Sequence, residues 1–201
     1  MSVGPPARVA AVVLAAGAST RMGEAKALLR VPDGRRYLEA IAETARAGGC
    51  DEIVVVLGPP HGDAIRAGVT APEAGATMKL AWNPAPERGM LSSVQAGIAA
   101  LPASVATVLV WPVDIPFVDV TTVRTLVMHD GTIVVPVHND RGGHPLRLGR
   151  RWFGEVMTLD PARGLKALLE AHAAEVTRLP VADRAVLVDV DTPEDYARTR
   201  A

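Results

Sequence analysis

"VAAVVLAAGASTRMGEAK", residues 9–26, sets an unbroken apolar run against a cluster of small and cationic residues. Val9 to Leu14 is aliphatic without alternation, the pattern of a strand buried on both faces, as in a parallel sheet. In open α/β sheets ligands bind at the carboxyl ends of the strands, so the loop after Leu14 is in the place for a site. Small residues at Ala15, Ala16, Gly17, Ala18 and Ser19 let backbone amides approach an anion, and Arg21 and Lys26 supply positive charge. A triphosphate meets all three features. Five residues separate Gly17 from Gly23, so there is no G-x-x-x-x-G-K-[ST], and G-x-G-x-x-G is absent too. Both absences argue against a P-loop NTPase and an ordinary dinucleotide-binding dehydrogenase.

Outward from this stretch, apolar runs alternate with Ala- and Leu-rich segments of helical spacing, which reads as α/β. Strands are expected at Val9–Leu14, Ile53–Leu57, Lys79–Trp82, Val105–Val110 and Thr132–Val137, with later ones at Glu175–Leu179 and Val186–Val188. Helices are expected at Leu38–Ala47, Met90–Ala100, Thr122–His129, Trp152–Leu159, Leu165–Ala173 and Pro193–Thr199. Gly48 and Gly49 form a C-terminal stop, and Thr192 before Pro193 reads as an N-cap. The segment Gly58–Gly75, rich in Gly, Pro and Ala, reads as mobile surface.

The 201 residues suit one domain, 1–201. Aliphatic residues must fill the core, because there are only two Phe, two Tyr and three Trp. A net charge of -1 gives no global attraction to nucleic acid or to an anionic membrane, so neither is an expected partner. Cys50 is the only cysteine, which excludes an intrachain disulfide and a cysteine-based zinc site. The start "MSVGPPAR" has no signal-peptide layout, and the apolar run after it is too short to span a bilayer. These features fit a cytoplasmic protein.

"LAAGASTRMGEAKALL", residues 14–29, resembles the amino-terminal signature of the MobA-like nucleotidyltransferases, within which it is most similar to the molybdenum cofactor cytidylyltransferases. Four further segments follow in the family's order: "NPAPERGMLSSVQAGI" from Asn83, "PVDIPFVD" from Pro112, "GGHPL" from Gly142 and "DVDTPEDYA" from Asp189. The resemblance implies a three-layer, Rossmann-like, mainly parallel sheet with helices on both faces, of the nucleotide-diphospho-sugar transferase type. It implies transfer of CMP, or alternatively GMP, from CTP or GTP to the phosphate of a molybdopterin-type acceptor, with loss of pyrophosphate and with Mg2+ as cofactor. A molybdoenzyme is a further implied partner.

By the same resemblance Arg21, Lys26 and Asp114 are catalytic. Leu14, Ala15, Ala16, Gly17, Arg21, Lys26, Asn83, Gly89, Met90, Ser92 and Ser93 bind nucleotide. Asp114 and Asp191 hold the metal, with Asp189 the weaker candidate, and Gly143, His144 and Pro145 face the acceptor. Arg21 and Lys26 are expected to face solvent when no ligand is bound, and the two aspartates to repel one another when no cation is bound. Taken alone, Asp114 also reads as a turn residue and Asp191 as a cap. His61, His129, His138 and His172 fit no ligand spacing and receive no role.

One departure bears on base choice. The cytidylyl branch usually has D-Q-P where this chain has Asp114-Ile115-Pro116, whereas "LAAG" with Ala16 is closer to the cytidylyl than to the guanylyl pattern. Other acceptors, such as a sugar phosphate or phospholactate, and a non-catalytic cofactor-delivery role stand as alternatives.

Overall fold

A computed structural model describes residues 8–69 and 78–200. Its eight strands are β1 (Arg8–Leu14), β2 (Glu52–Leu57), β3 (Met78–Trp82), β4 (Val105–Pro112), β5 (Ile133–His138), β6 (Arg141–Gly142), β7 (Leu146–Gly149) and β8 (Val176–Pro180). The helices are α1 (Tyr37–Ala47), α2 (Gly62–Gly68), α3 (Met90–Ala99), α4 (Val120–Met128), α5 (Phe153–Thr158), α6 (Lys166–Ala171) and α7 (Pro193–Thr199). All strands lie in one sheet of order β3-β2-β1-β4-β7-β5-β6, with β8 paired to β5.

The β3-β2-β1-β4 half is wholly parallel, and β7 enters antiparallel between β4 and β5. The unbroken apolar run of β1 is explained by burial on both faces. Val9, Ala11 and Val13 join the core that includes α1 and α4, while Ala10, Val12 and Leu14 join the core that includes α3 and α5. Gly97 lets α3 lie directly on the sheet, because a Cβ there would overlap Val12.

Two expectations need correction, and two strands add to those expected from the sequence. Gly58–Gly75 is not mobile surface throughout: Gly62–Gly68 is helical and its Ile65 is 1% exposed in the core. A Cβ on Gly62 would come within 2.5 Å of the Trp82 ring, so this glycine serves close packing rather than flexibility. Positions 70–75 of that segment lie outside the described residues, as do positions 1–7 of the amino-terminal segment. Of the expected strand Val186–Val188, Val186 and Leu187 instead end a 3-10 turn, Arg184–Leu187, whose start is capped by the Asp183 carboxylate accepting from the Ala185 amide. Finally, β6 and β7 were not anticipated, because β6 has two residues and β7 ("LRLG") interrupts its apolar pair with Arg147. Among the described residues no helix is long and apolar enough to cross a membrane.

A tight hairpin joins β5 to β6 through Asn139 and Asp140, both at positive φ, the two-residue turn that matches strand twist. The chain then passes Gly143, whose amide donates to the Pro136 carbonyl at 2.8 Å, and enters β7. A Cβ on Gly143 would overlap the Val186 backbone carbonyl. Gly143→Ala is therefore expected to destabilise the chain by about 1–3 kcal/mol through overpacking against rigid backbone, read by chemical denaturation.

Candidate active site

The loop after β1 is held from both sides. The Ala15 amide donates to the Val56 carbonyl at 2.9 Å, and the Val113 amide donates to the Leu14 carbonyl at 3.2 Å. Ser19 turns the chain at φ 49, with the amides of Met22 and Gly23 donating to its carbonyl. His61, at the start of α2, places Nε2 3.0 Å from the Ala18 carbonyl oxygen. His61 thus braces the loop after β1, a role its isolated position in the sequence did not signal. A Cβ on Gly17 would meet nothing within 4 Å, so the loop opens onto free space.

Opposite the loop, two aspartates from distant parts of the chain converge. Asp114 follows β4 in a turn fixed by the Ile115 amide donating to Pro112 and by the buried Trp111 indole donating to the Ile115 carbonyl at 2.8 Å. The Val190 amide donates to the Asp114 carbonyl at 2.8 Å, which pins the segment carrying Asp191 beside Asp114. Asp191 is oriented from its other side by α7, where Thr192 and Asp195 form a reciprocal capping box and Asp195 also accepts from the Asp191 amide. Beneath lies a small cluster of Met22, Leu29, Val31, Tyr37 and Val190, with Phe117 and Tyr196 packed against it. Tyr37 meets Phe117 and Tyr196 edge-on, tying α1 to α7 and to the segment after β4.

The Lys26 ammonium sits between the two carboxylates. It donates to Asp114 Oδ2 at 3.2 Å and makes a shorter contact with Asp191 Oδ1, while Arg21 donates to Asp191 Oδ2 at 2.6 Å. Arg21 faces solvent as expected, with 68% side-chain exposure, but Lys26 does not: its side chain is only 11% exposed because both aspartates enclose it. The expected repulsion between unliganded carboxylates is corrected likewise, since an internal cation already separates them. Burial alone would raise the Asp191 pKa, but hydrogen bonding and charge from Lys26, with Arg21, hold it below the usual carboxylate range.

A cavity of about 240 Å³ in front of the loop is lined by Leu14, Ala15, Ala16, Gly17, Lys26 and Asp114, with Met90 and Ser93 among the rest. Asn83, Gly89 and Ser92 stand behind it. The Asn83 amide nitrogen donates to Ser92 at 2.8 Å and to Ser93 at 2.9 Å, and the Ser92 hydroxyl donates to the Gly89 carbonyl at 2.7 Å. These polar groups brace the turn into α3, whose Gly89 has φ +108. Beyond Asp114 a second cavity, of about 290 Å³, is shared with Gly143, His144, Ile115 and Asp189; Pro145 is buried behind it. Burial lowers the His144 pKa against opposing effects of the Val110 carbonyl and Asp114, so the ring is neutral at pH 7. Ile115 is 6% exposed and packs in the core, so its apolar side chain also serves the fold.

Asp114 lines both cavities, with Lys26 and the loop on one side of it and Gly143 and His144 on the other. Comparison with known proteins bears on the family. The MobA-like NTP transferase domain matches residues 11–176. The chain belongs to the MobA-like nucleotidyltransferase family.

Among its relatives, nicotine blue oxidoreductase of Paenarthrobacter nicotinovorans is 33% identical, covering 94% of this chain and 95% of that protein. A molybdenum cofactor guanylyltransferase of Xanthomonas euvesicatoria is 30% identical (93% and 92% covered), and the molybdenum cofactor cytidylyltransferase of Escherichia coli 25% (92% and 92%). The crystal structure of Rv0371c from Mycobacterium tuberculosis superposes with a TM-score of 0.80 at 30% identity, over 96% of this chain and 97% of that one. A complex of Rv0371c with manganese gives 0.77 at 28% identity, with the same coverage.

The carboxylates suit a hard divalent cation. Among the described residues no group of three or more His, Cys, Asp or Glu converges, so no all-protein metal cage is present. Two aspartates within reach of one ammonium instead fit the habit of Mg2+, which takes one or two carboxylates and completes its shell with phosphates and water.

Proposed function

We propose that this chain, acting as one domain in the cytoplasm, transfers CMP from CTP to the phosphate of molybdopterin cofactor and releases pyrophosphate. The observation that carries this reading is the Lys26–Asp114–Asp191–Arg21 cluster beside the small-residue loop. An acceptor phosphate oxygen would attack the α-phosphorus as the bond to pyrophosphate breaks, a reaction that needs positioning and charge neutralisation but no side-chain nucleophile. Lys26 and Arg21 would bind the triphosphate, and loop amides from Ala15 to Gly17 would hold it. Asp114 and Asp191 would hold Mg2+, which when bound supplies charge stabilisation at the phosphates. The acceptor would lie against Gly143 and His144, whose neutral ring adds no charge there.

The choice of CTP rests on Ala16 within "LAAG", against a higher identity to the guanylyltransferase (30%) than to the cytidylyltransferase (25%). It is tested by measuring pyrophosphate release with each of the four ribonucleoside triphosphates, with and without molybdopterin. CTP is expected to exceed GTP by at least about tenfold, a difference of about 1.4 kcal/mol. Equal or faster turnover of GTP would move this chain to the guanylyl activity named for its other molybdenum cofactor relative.

The 33% identity to nicotine blue oxidoreductase favours a second reading, an oxidoreductase acting in the same cleft. Lys26 and Arg21 gathered with two carboxylates beside the small-residue loop suit phosphate chemistry, which weighs for nucleotidyl transfer. Acceptor-dependent pyrophosphate release separates the two readings.

A further inference from the structure

The metal carboxylates are already occupied by the protein's own cations. Asp191 pairs with both Lys26 and Arg21, and Asp114 pairs with Lys26. The cluster is formally neutral, and its centre is enclosed, with the Lys26 side chain only 11% exposed. A divalent cation arriving alone would have to displace an ammonium making two charge-assisted hydrogen bonds and would leave both positive charges crowded in one partly buried place. A triphosphate changes this balance: it offers Lys26 and Arg21 new anionic partners and frees the carboxylate oxygens at the same moment.

We infer that Lys26 is an internal counter-ion that closes the metal carboxylates until a triphosphate draws it away, so that cation and nucleotide bind synergistically. The same side chain thus has two sets of partners, the aspartates in the free protein and the phosphates in the complex. Because coupling between two ligands is reciprocal, the nucleotide raises cation affinity by the factor that the cation raises nucleotide affinity. The inference rests on the nucleotidyl-transfer reading for the identity of the second ligand. Its first half, competition between Lys26 and a cation, is a property of the free chain.

The test uses Mn2+ alone as the probe, with free Mn2+ followed by electron paramagnetic resonance and no nucleotide present. Lys26→Met, which keeps the length and removes the charge, is expected to bind Mn2+ at least about tenfold more tightly than the unmodified chain, within the usual range of coupling effects. Lys26→Arg, which keeps the charge, is expected to remain as weak as the unmodified chain. Adding Asp191→Asn to Lys26→Met should remove the gain, locating the bound ion at these carboxylates. Should Lys26→Met not fold, Arg21→Met at an exposed position still removes one partner of Asp191 and should give a smaller increase. Unchanged Mn2+ affinity in the uncharged variants, or an equal gain in Lys26→Arg, would overturn the inference while leaving the transferase reading intact. Absence of pyrophosphate release from every nucleotide, with acceptor present, would instead sink that reading.

Discussion

Asp114→Asn is expected to lower turnover by about two to three decades, because on the proposed reading it removes a carboxylate holding the catalytic cation and with it several kcal/mol of charge stabilisation. The substitution keeps the size and the backbone contacts of Asp114, including the carbonyl that accepts from Val190. Lys26 retains Asp191 as its partner. Stability should therefore fall by less than about 1 kcal/mol, the usual worth of a partly exposed ion pair. Steady-state pyrophosphate release together with a denaturation curve reads both quantities. A stability loss of several kcal/mol, with activity recovered on cooling, would make Asp114 a structural turn residue.

Lys26→Ala should behave differently. Turnover is expected to fall by about one to two decades, the loss of a charge-assisted hydrogen bond worth roughly 1.5–3 kcal/mol. Stability should fall too, by about 1–2 kcal/mol, since two carboxylates are left facing one another; their partial exposure discounts the larger penalty of a fully buried pair. The pH dependence follows from Asp191, whose native pKa is depressed. Its pairing stabilises the unmodified chain above the unfolded carboxylate value, and that contribution is lost as pH falls through the depressed native value. Without Lys26 the depression shrinks, so the acid limb of the stability curve should be shallower in the variant. An identical acid limb in the two proteins would show that Lys26 does not stabilise ionised Asp191.

Much of the parallel half was legible because both-face burial imposes unbroken apolar runs, as in Val9–Leu14 and Ile53–Leu57. The antiparallel insertion was not. A four-residue strand carrying Arg147 looks like a loop when read alone, and only its pairing with β4 and β5 makes it a strand. Composition misled at Gly58–Gly68, where glycines serve close approach to Trp82 and to the Asn83 backbone rather than disorder. At the candidate site, residue types indicated Arg21 and Lys26, and the family resemblance pointed to Asp114 and Asp191. They did not indicate that the cations pair with the carboxylates, because that contact depends on Val190 binding the Asp114 carbonyl across the fold. His61 was missed for a related reason: its bond to the Ala18 carbonyl joins two loops that are neighbours only because β1 and β2 are paired.

The most direct measurement of the central claim is label transfer from CTP carrying a radioactive α-phosphate, incubated with the chain, Mg2+ and molybdopterin cofactor. Nucleotidyl transfer predicts label in an acceptor dinucleotide, one equivalent of pyrophosphate for each, and loss of both in Asp114→Asn. Label that stays in CTP, or appears only as free CMP in amounts indifferent to the acceptor, would contradict it.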